Sequence, residues 1–188
     1  MFTDVLPDKI DQGVILDSVY FYALDETHLG LVLTPTCDFE HNKAELAQIC
    51  AIFDAWQIVA DLVRTDWAKM GLVDASGNLI KGPLSRTKRT EFTSQLLYII
   101  GQRFPRFHWL APFANTSRPL IVDFQVITSL PAGELADVQL LAALRSPFRE
   151  QVAARYAAYM GRVGTPDFSK DETQDWIERG IEELFPST

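Results

Sequence analysis

The chain has two cysteines, three histidines and an excess of acids over bases, and each scarcity removes a class of explanation. Cys37 and Cys50 are too few for a disulfide framework. If residues 29–36 and 45–53 pair as a hairpin centred near His41, Cys50 falls opposite Val32, and the two sulfurs lie on the order of 15 Å apart at about 3.3 Å per residue. That separation argues equally against a shared metal site, so neither a metal nor another cofactor is expected. Apolar stretches break well before the roughly 18 residues that a membrane span needs. No N-terminal run has the basic, apolar and small-residue order of a signal peptide. A soluble protein in a reducing, cytoplasmic setting is the expectation, with no membrane partner.

Bases are the next shortage: 17 Lys and Arg against 25 Asp and Glu give a net charge of −8. That balance argues against a protein that coats nucleic acid with its whole surface. The charge is unevenly placed. Between positions 81 and 106 stand Lys81, Arg86, Lys88, Arg89, Arg103 and Arg106 against the single acid Glu91. From position 167 onward the sign reverses, with Asp167, Asp171, Glu172, Asp175, Glu178, Glu182 and Glu183 against Lys170 and Arg179. Such runs form solvated faces that pair with each other, or a basic surface that docks a partner.

What is present is apolar material: 47% of 188 residues suffices for one core carrying an insertion, and residues 1–188 read as a single domain. The most informative stretch is LGLVLTPTCD, residues 29–38, an apolar run of both parities that stops at Pro35. Residues 12–24 read as a long or bent strand, Asp25-Glu26-Thr27-His28 as a turn, and 29–36 and 45–53 as the second and third strands. Phe53, Trp56, Ala60, Val63, Trp67 and Met70 then recur at helical spacing up to a C-capping Gly71. A small hairpin turns at Gly77. Ser85 caps a helix to about Gln102 with Phe92, Leu96, Ile99 and Ile100 as its buried stripe. Strands return at 107–110 and 120–129. Ser146-Pro147 reads as a capping hydroxyl before a first-turn proline, opening a helix that ends near Gly164. A last acidic helix carries Trp176, Ile177, Ile181 and Leu184. The fold class is α+β: a small SH3-like β-barrel core with strands from about 12–54 and 107–130, a helical insertion over about 55–104, and C-terminal helices over about 134–186.

The order Gly13-Val14-Ile15-Leu16, Leu29-Gly30-Leu31-Val32-Leu33-Thr34, the strand 46–52, and Val122-Asp123-Phe124-Gln125-Val126-Ile127-Thr128 resembles the MazF/PemK family of small β-barrel proteins. The resemblance covers roughly residues 12–54 and 107–160. It implies a metal-independent endoribonuclease toxin that cuts single-stranded RNA with an arginine before the second strand and a hydroxyl residue at the end of the third. This chain departs at both positions, which carry Thr27 or His28 and Phe53 or Asp54.

Two functional classes follow. The first is an interaction or regulatory protein whose basic helix and acidic tail dock a partner, a protein before a nucleic acid, through Arg86, Lys88, Arg89, Arg103 and Arg106; a homodimer is compatible with it. The second is a ribonuclease with His28 as acid or base and Thr34, Thr36, Cys37 and Asp38 at the barrel mouth. Cys37, Asp38 and His41 also contain the groups of a thiol nucleophile, acid and base. Adjacent Asp38, however, disfavours the thiolate, and the same residues serve a turn in which Asp38 and Asn42 bond the loop backbone. His108 beside Trp109 is expected in the core or at its rim.

Overall fold

The computed structural model describes residues 1–3, 6–41, 43–113 and 116–161 of the chain. Six strands, β1 (Val14–Phe21), β2 (Glu26–Val32), β3 (Leu46–Asp54), β4 (Phe107–Leu110), β5 (Leu120–Pro131) and β6 (Leu140–Ala143), form one antiparallel sheet in the order β4-β5-β3-β2-β1-β6. Among the described residues four α-helices accompany it: α1 (Thr36–Glu40), α2 (Ala55–Arg64), α3 (Arg86–Ile100) and α4 (Phe148–Met160). The sheet curls into a half-barrel, so β1 touches β5 although β2 and β3 lie between them in the hydrogen-bonding order.

Strand alternation divides the apolar residues between two faces. Ile15, Leu31, Cys50, Val122 and Phe124 point to one face and pack under α4 through Phe148, Val152, Tyr156 and Tyr159. Their neighbours Leu16, Val32, Ile49 and Ala51 point into the curl, which Phe39 and Leu135 help to close. At the β4–β5 end this second face continues as Phe107 and Ile121, covered by Val59, Leu62 and Val63 of α2 and Ile99 of α3. The helical insertion thus extends the barrel's interior face and does not sit on its back.

Two local features make the curl. A Cβ on Gly30 would stand 2.5 Å from Ile49 Cγ2 and 2.9 Å from Val19 Cγ2, so the side chains of β1 and β3 converge over β2 only because that position has none. On β5, Cys50 opposes Ile127 while Ala51 opposes Asp123, leaving Phe124, Gln125 and Val126 as a bulge without partners on β3. A smaller irregularity between Leu16 and Val19 bends β1, with Ser18 at φ 52°.

Edge strand β4 leaves backbone groups to be satisfied by other means. Trp109 N–H donates to Gln102 Oε1 (3.0 Å) while Gln102 Nε2 donates to the Trp109 carbonyl (2.8 Å), so one side-chain amide takes the place of a seventh strand. From α4, Arg155 donates to the carbonyls of Gln102, Phe104 (3.0 Å) and Phe107 (2.8 Å).

Several expectations need correction. β2 begins at Glu26, not Leu29, and ends at Val32. The turn lies at 22–25, and Thr34, Thr36, Cys37 and Asp38 are not on a strand: Pro35 starts α1 at Thr36. Cys50 opposes Leu31, one residue off the expected register, because the 33–45 connection contains a helical turn. Phe53 is in β3, and Asp54 caps α2 by accepting from the N–H groups of Trp56 and Gln57. Ile100 is exposed, 41%, so Ile99 carries the buried stripe alone with Phe92 and Leu96 partly covered. Residues 140–143, expected in a helical region, supply β6, because β1 has an open edge that needs a ladder partner. Pro147 is the N-cap of α4, without a side-chain bond from Ser146, and the helix ends at Met160. Asn42 and the last acidic helix lie outside the described residues. The strand at 107–110, the hairpin at Gly77 (φ 80°) and the Ser85 cap stand as expected.

His108 is fully buried, and among the described residues neither ring nitrogen has a hydrogen-bond partner. Burial, and then the Arg155 charge, lower its pKa from 6.5 to about 3. The folded protein therefore holds the ring neutral where the unfolded chain protonates it. Stability from this residue is complete above about pH 6.5 and is lost as pH falls toward 3, at up to about 1.4 kcal/mol per pH unit. His108→Leu removes an unsatisfied N–H and should flatten this acid limb in urea titrations at successive pH values; an unchanged slope refutes the assignment. Gly30→Ala should destabilise by about 1–3 kcal/mol with an unaltered urea m value.

Candidate functional site

α3 is tied to the fold along one stripe only. Ser85 Oγ accepts from Lys88 N–H (3.4 Å), Lys88 Nζ donates to the Gly71 carbonyl, and Ile99 enters the core beneath α2. Its opposite face repeats at three- and four-residue spacing: Arg86, Arg89 and Thr90, Thr93 and Ser94, then Leu97. These residues line a shallow depression of ≈ 430 Å³. Ser94 and Leu97 also line a second, of ≈ 630 Å³, which continues past Tyr98 and Gly101 to Arg103. The two depressions form one surface along the helix.

Its chemistry is mixed. Arg86, Arg89 and Arg103 are exposed, and among the described residues none of them forms an ion pair. Between the cations lie hydroxyls and exposed apolar groups, Leu97 at 62% and Tyr98 at 43%. Two of these cations, Arg86 and Arg89, lie in the first turn and face the positive end of the helix dipole, which disfavours them unless an anion is near. Such a surface suits carboxylates flanking apolar side chains.

The other predicted cations play different parts. Lys88 is spent on the Gly71 carbonyl. Arg106 is clamped on Asp123, with Nε donating to Oδ1 (2.8 Å) and Nη2 to Oδ2 (2.6 Å), while Gln125 N–H donates to Oδ1 (3.0 Å) inside the β5 bulge. Hydrogen bonding to Asp123, which is 1% exposed, raises the Arg106 pKa. That arginine holds the fold.

The residues proposed for hydrolysis are dispersed. His28 sits near the start of β2, its Nε2 3.2 Å from Glu26 Oε2 and its ring 4.8 Å from that of Phe53. Thr34 follows the other end of that strand, roughly 20 Å away at about 3.3 Å per residue. Thr34 Oγ1 accepts from Gln48 N–H (2.8 Å) and extends the β2–β3 ladder. Thr36 lines a separate depression with Asp8, Asp11 and Phe39. Cys37 is exposed, its Sγ 3.7 Å from Asp38 Oδ1, and the His41 backbone N–H donates to the Cys37 carbonyl as an ordinary helix end. Burial pushes the other thiol, Cys50, strongly up, which suits a core group and no nucleophile. Among the described residues no group of three His, Cys, Asp or Glu could hold a metal ion, and no helix is long and apolar enough to cross a membrane.

Charge runs in the sequence pointed to α3 but missed Thr90, Thr93, Ser94, Leu97 and Tyr98, although their spacing from Arg86 was there to be read. Two arginines close in sequence should separate by experiment. Arg106→Ala leaves a buried carboxylate unpaired and should cost about 2–4 kcal/mol in urea unfolding, whereas Arg103→Ala should stay within about 0.5 kcal/mol.

No family model matches the chain, and no curated protein matches it in sequence. Among solved structures it is similar to a chain of the MazE-MazF (Form-II) crystal structure from Deinococcus radiodurans, at 14% identity and a TM-score of 0.39, covering 84% of this chain and 98% of that one. A likeness of that depth assigns neither activity nor partner.

Proposed function

We propose that this protein is a binding module, and that the outward face of α3 grips an acidic, partly apolar protein segment. The observation that carries the reading is the composition of that face: three exposed arginines without ion-pair partners among the described residues, set around exposed Leu97 and Tyr98. Arginine forks match carboxylates, and the apolar centre supplies the burial that exposed ion pairs alone do not. Acidic protein is favoured over RNA because the stripe is short and sits on a chain of net charge −8. The separation of His28 from Thr34, Cys37 and Asp38 supports binding over hydrolysis at those residues.

The test uses the full chain and a fluorescent synthetic peptide alternating Asp and Glu with Leu and Trp, beside a single-stranded oligoribonucleotide. Arg86→Glu with Arg89→Glu and Arg103→Glu should weaken peptide binding at least tenfold while the melting temperature moves by less than about 3 °C, since these side chains touch little. Binding should also weaken as salt rises. Equal affinity in the variant overturns the reading; tighter binding of the oligoribonucleotide than of the peptide replaces the protein partner with RNA.

A further inference from the structure

We infer that the occupant of the α3 face is carried by the chain itself: residues 167–185 dock on it and must be displaced before an outside partner binds. The inference rests on the binding reading above and adds the regulation of that site.

Three observations lead to it. The first is chemical complementarity. The segment alternates acids with large apolar groups, Asp167 and Phe168, Asp175 and Trp176-Ile177, Glu178 and Ile181, Glu182-Glu183 and Leu184. This is the composition that the α3 face fits, with arginines at both ends of an apolar patch. Carboxylates brought beside Arg86 and Arg89 would also relieve the unfavourable placement of those cations at the helix N-terminus.

The second is where the described chain ends. Arg155, in the middle of α4, bonds the Gln102 and Phe104 carbonyls and so ties α4, on one face of the sheet, to the connection that follows α3 on the other. α4 finishes at Met160, so Gly161 lies about 9 Å along the helix axis from Arg155 at about 1.5 Å per residue. The third is length. Residues 162–166 can span up to about 17 Å, the reach available for turning the β4 edge toward Arg103. The remaining residues can follow α3, whose 15 residues are about 22 Å long, back toward Arg89 and Arg86. A tether this short gives an effective concentration on the order of millimolar, so even a weak contact competes with free partners. Occupancy of nine-tenths would lower the apparent affinity for an outside acidic segment about tenfold.

The experiment uses the full chain with Cys37→Ser and a nitroxide on Ser94→Cys, Cys50 being buried. Amide resonances of residues 171–185 in the ¹⁵N-labelled protein should broaden, and should recover when Arg86, Arg89 and Arg103 are reversed to Glu. A nitroxide on Ser129→Cys, an exposed site on β5, should leave them sharp. Absence of broadening from Ser94, or equal broadening from Ser129, overturns the inference. Broadening in a mixture of spin-labelled ¹⁴N protein with unlabelled-side-chain ¹⁵N protein means that a second copy supplies the segment, which also overturns it.

Converting the seven acids of 167–185 to Asn or Gln should tighten binding of the acidic peptide about tenfold. Sharp tail resonances with arginine-dependent peptide binding sink the inference alone; a docked tail with no peptide binding even in the neutralised chain sinks the binding reading alone.

Discussion

The buried carboxylate of Asp123 is the constraint on which the arrangement turns. It stands where β5 breaks register with β3, and its oxygens are taken by both arms of Arg106 and by the Gln125 backbone N–H. An unpaired carboxylate at 1% exposure would be untenable, so the bulge at 124–126 and the approach of the 101–106 connection come as one unit. The bulge lets β5 serve two surfaces: residues 120–123 pair with β4 above the α2–α3 layer, and residues 127–131 continue the barrel wall. The helical insertion is thereby bolted to the sheet it interrupts.

Arg155 and Gln102 complete that corner from the outside. Backbone groups of β4 that face away from β5 are satisfied by side chains, which keeps a short edge strand from recruiting a foreign one. The solution also fixes geometry: through Arg155, α4 on one face of the sheet is tied to the connection that follows α3 on the other.

α3 leads into this corner. With Ile99 as its one fully buried side chain, it adds little to the core, yet it holds Leu97, Tyr98 and Ile100 at the surface among arginines. A helix kept for stability would turn these residues inward. On the proposed binding reading, a partner segment covers them.

The strands at 107–110 and 120–129, the Ser85 cap and the Gly77 hairpin were legible because each depends on local pattern: alternation, a capping hydroxyl, a glycine in a left-handed turn. The α+β class was legible too, and burial of the sheet on two faces followed from apolar runs of both parities. Register was not. Whether β2 holds His28 or begins after it, whether Cys50 meets Leu31 or Val32, and whether residues 140–143 coil or pair are decided by partners distant in sequence. The charge run of 81–106 named the basic region, but its division into structural Arg106, anchored Lys88 and exposed Arg86, Arg89 and Arg103 required knowing which carboxylate and which carbonyl each could reach. Local propensity and periodicity are carried by the chain alone; burial, and with it the difference between an arginine that holds the fold and one that is free to bind, exists only once the sheet has closed.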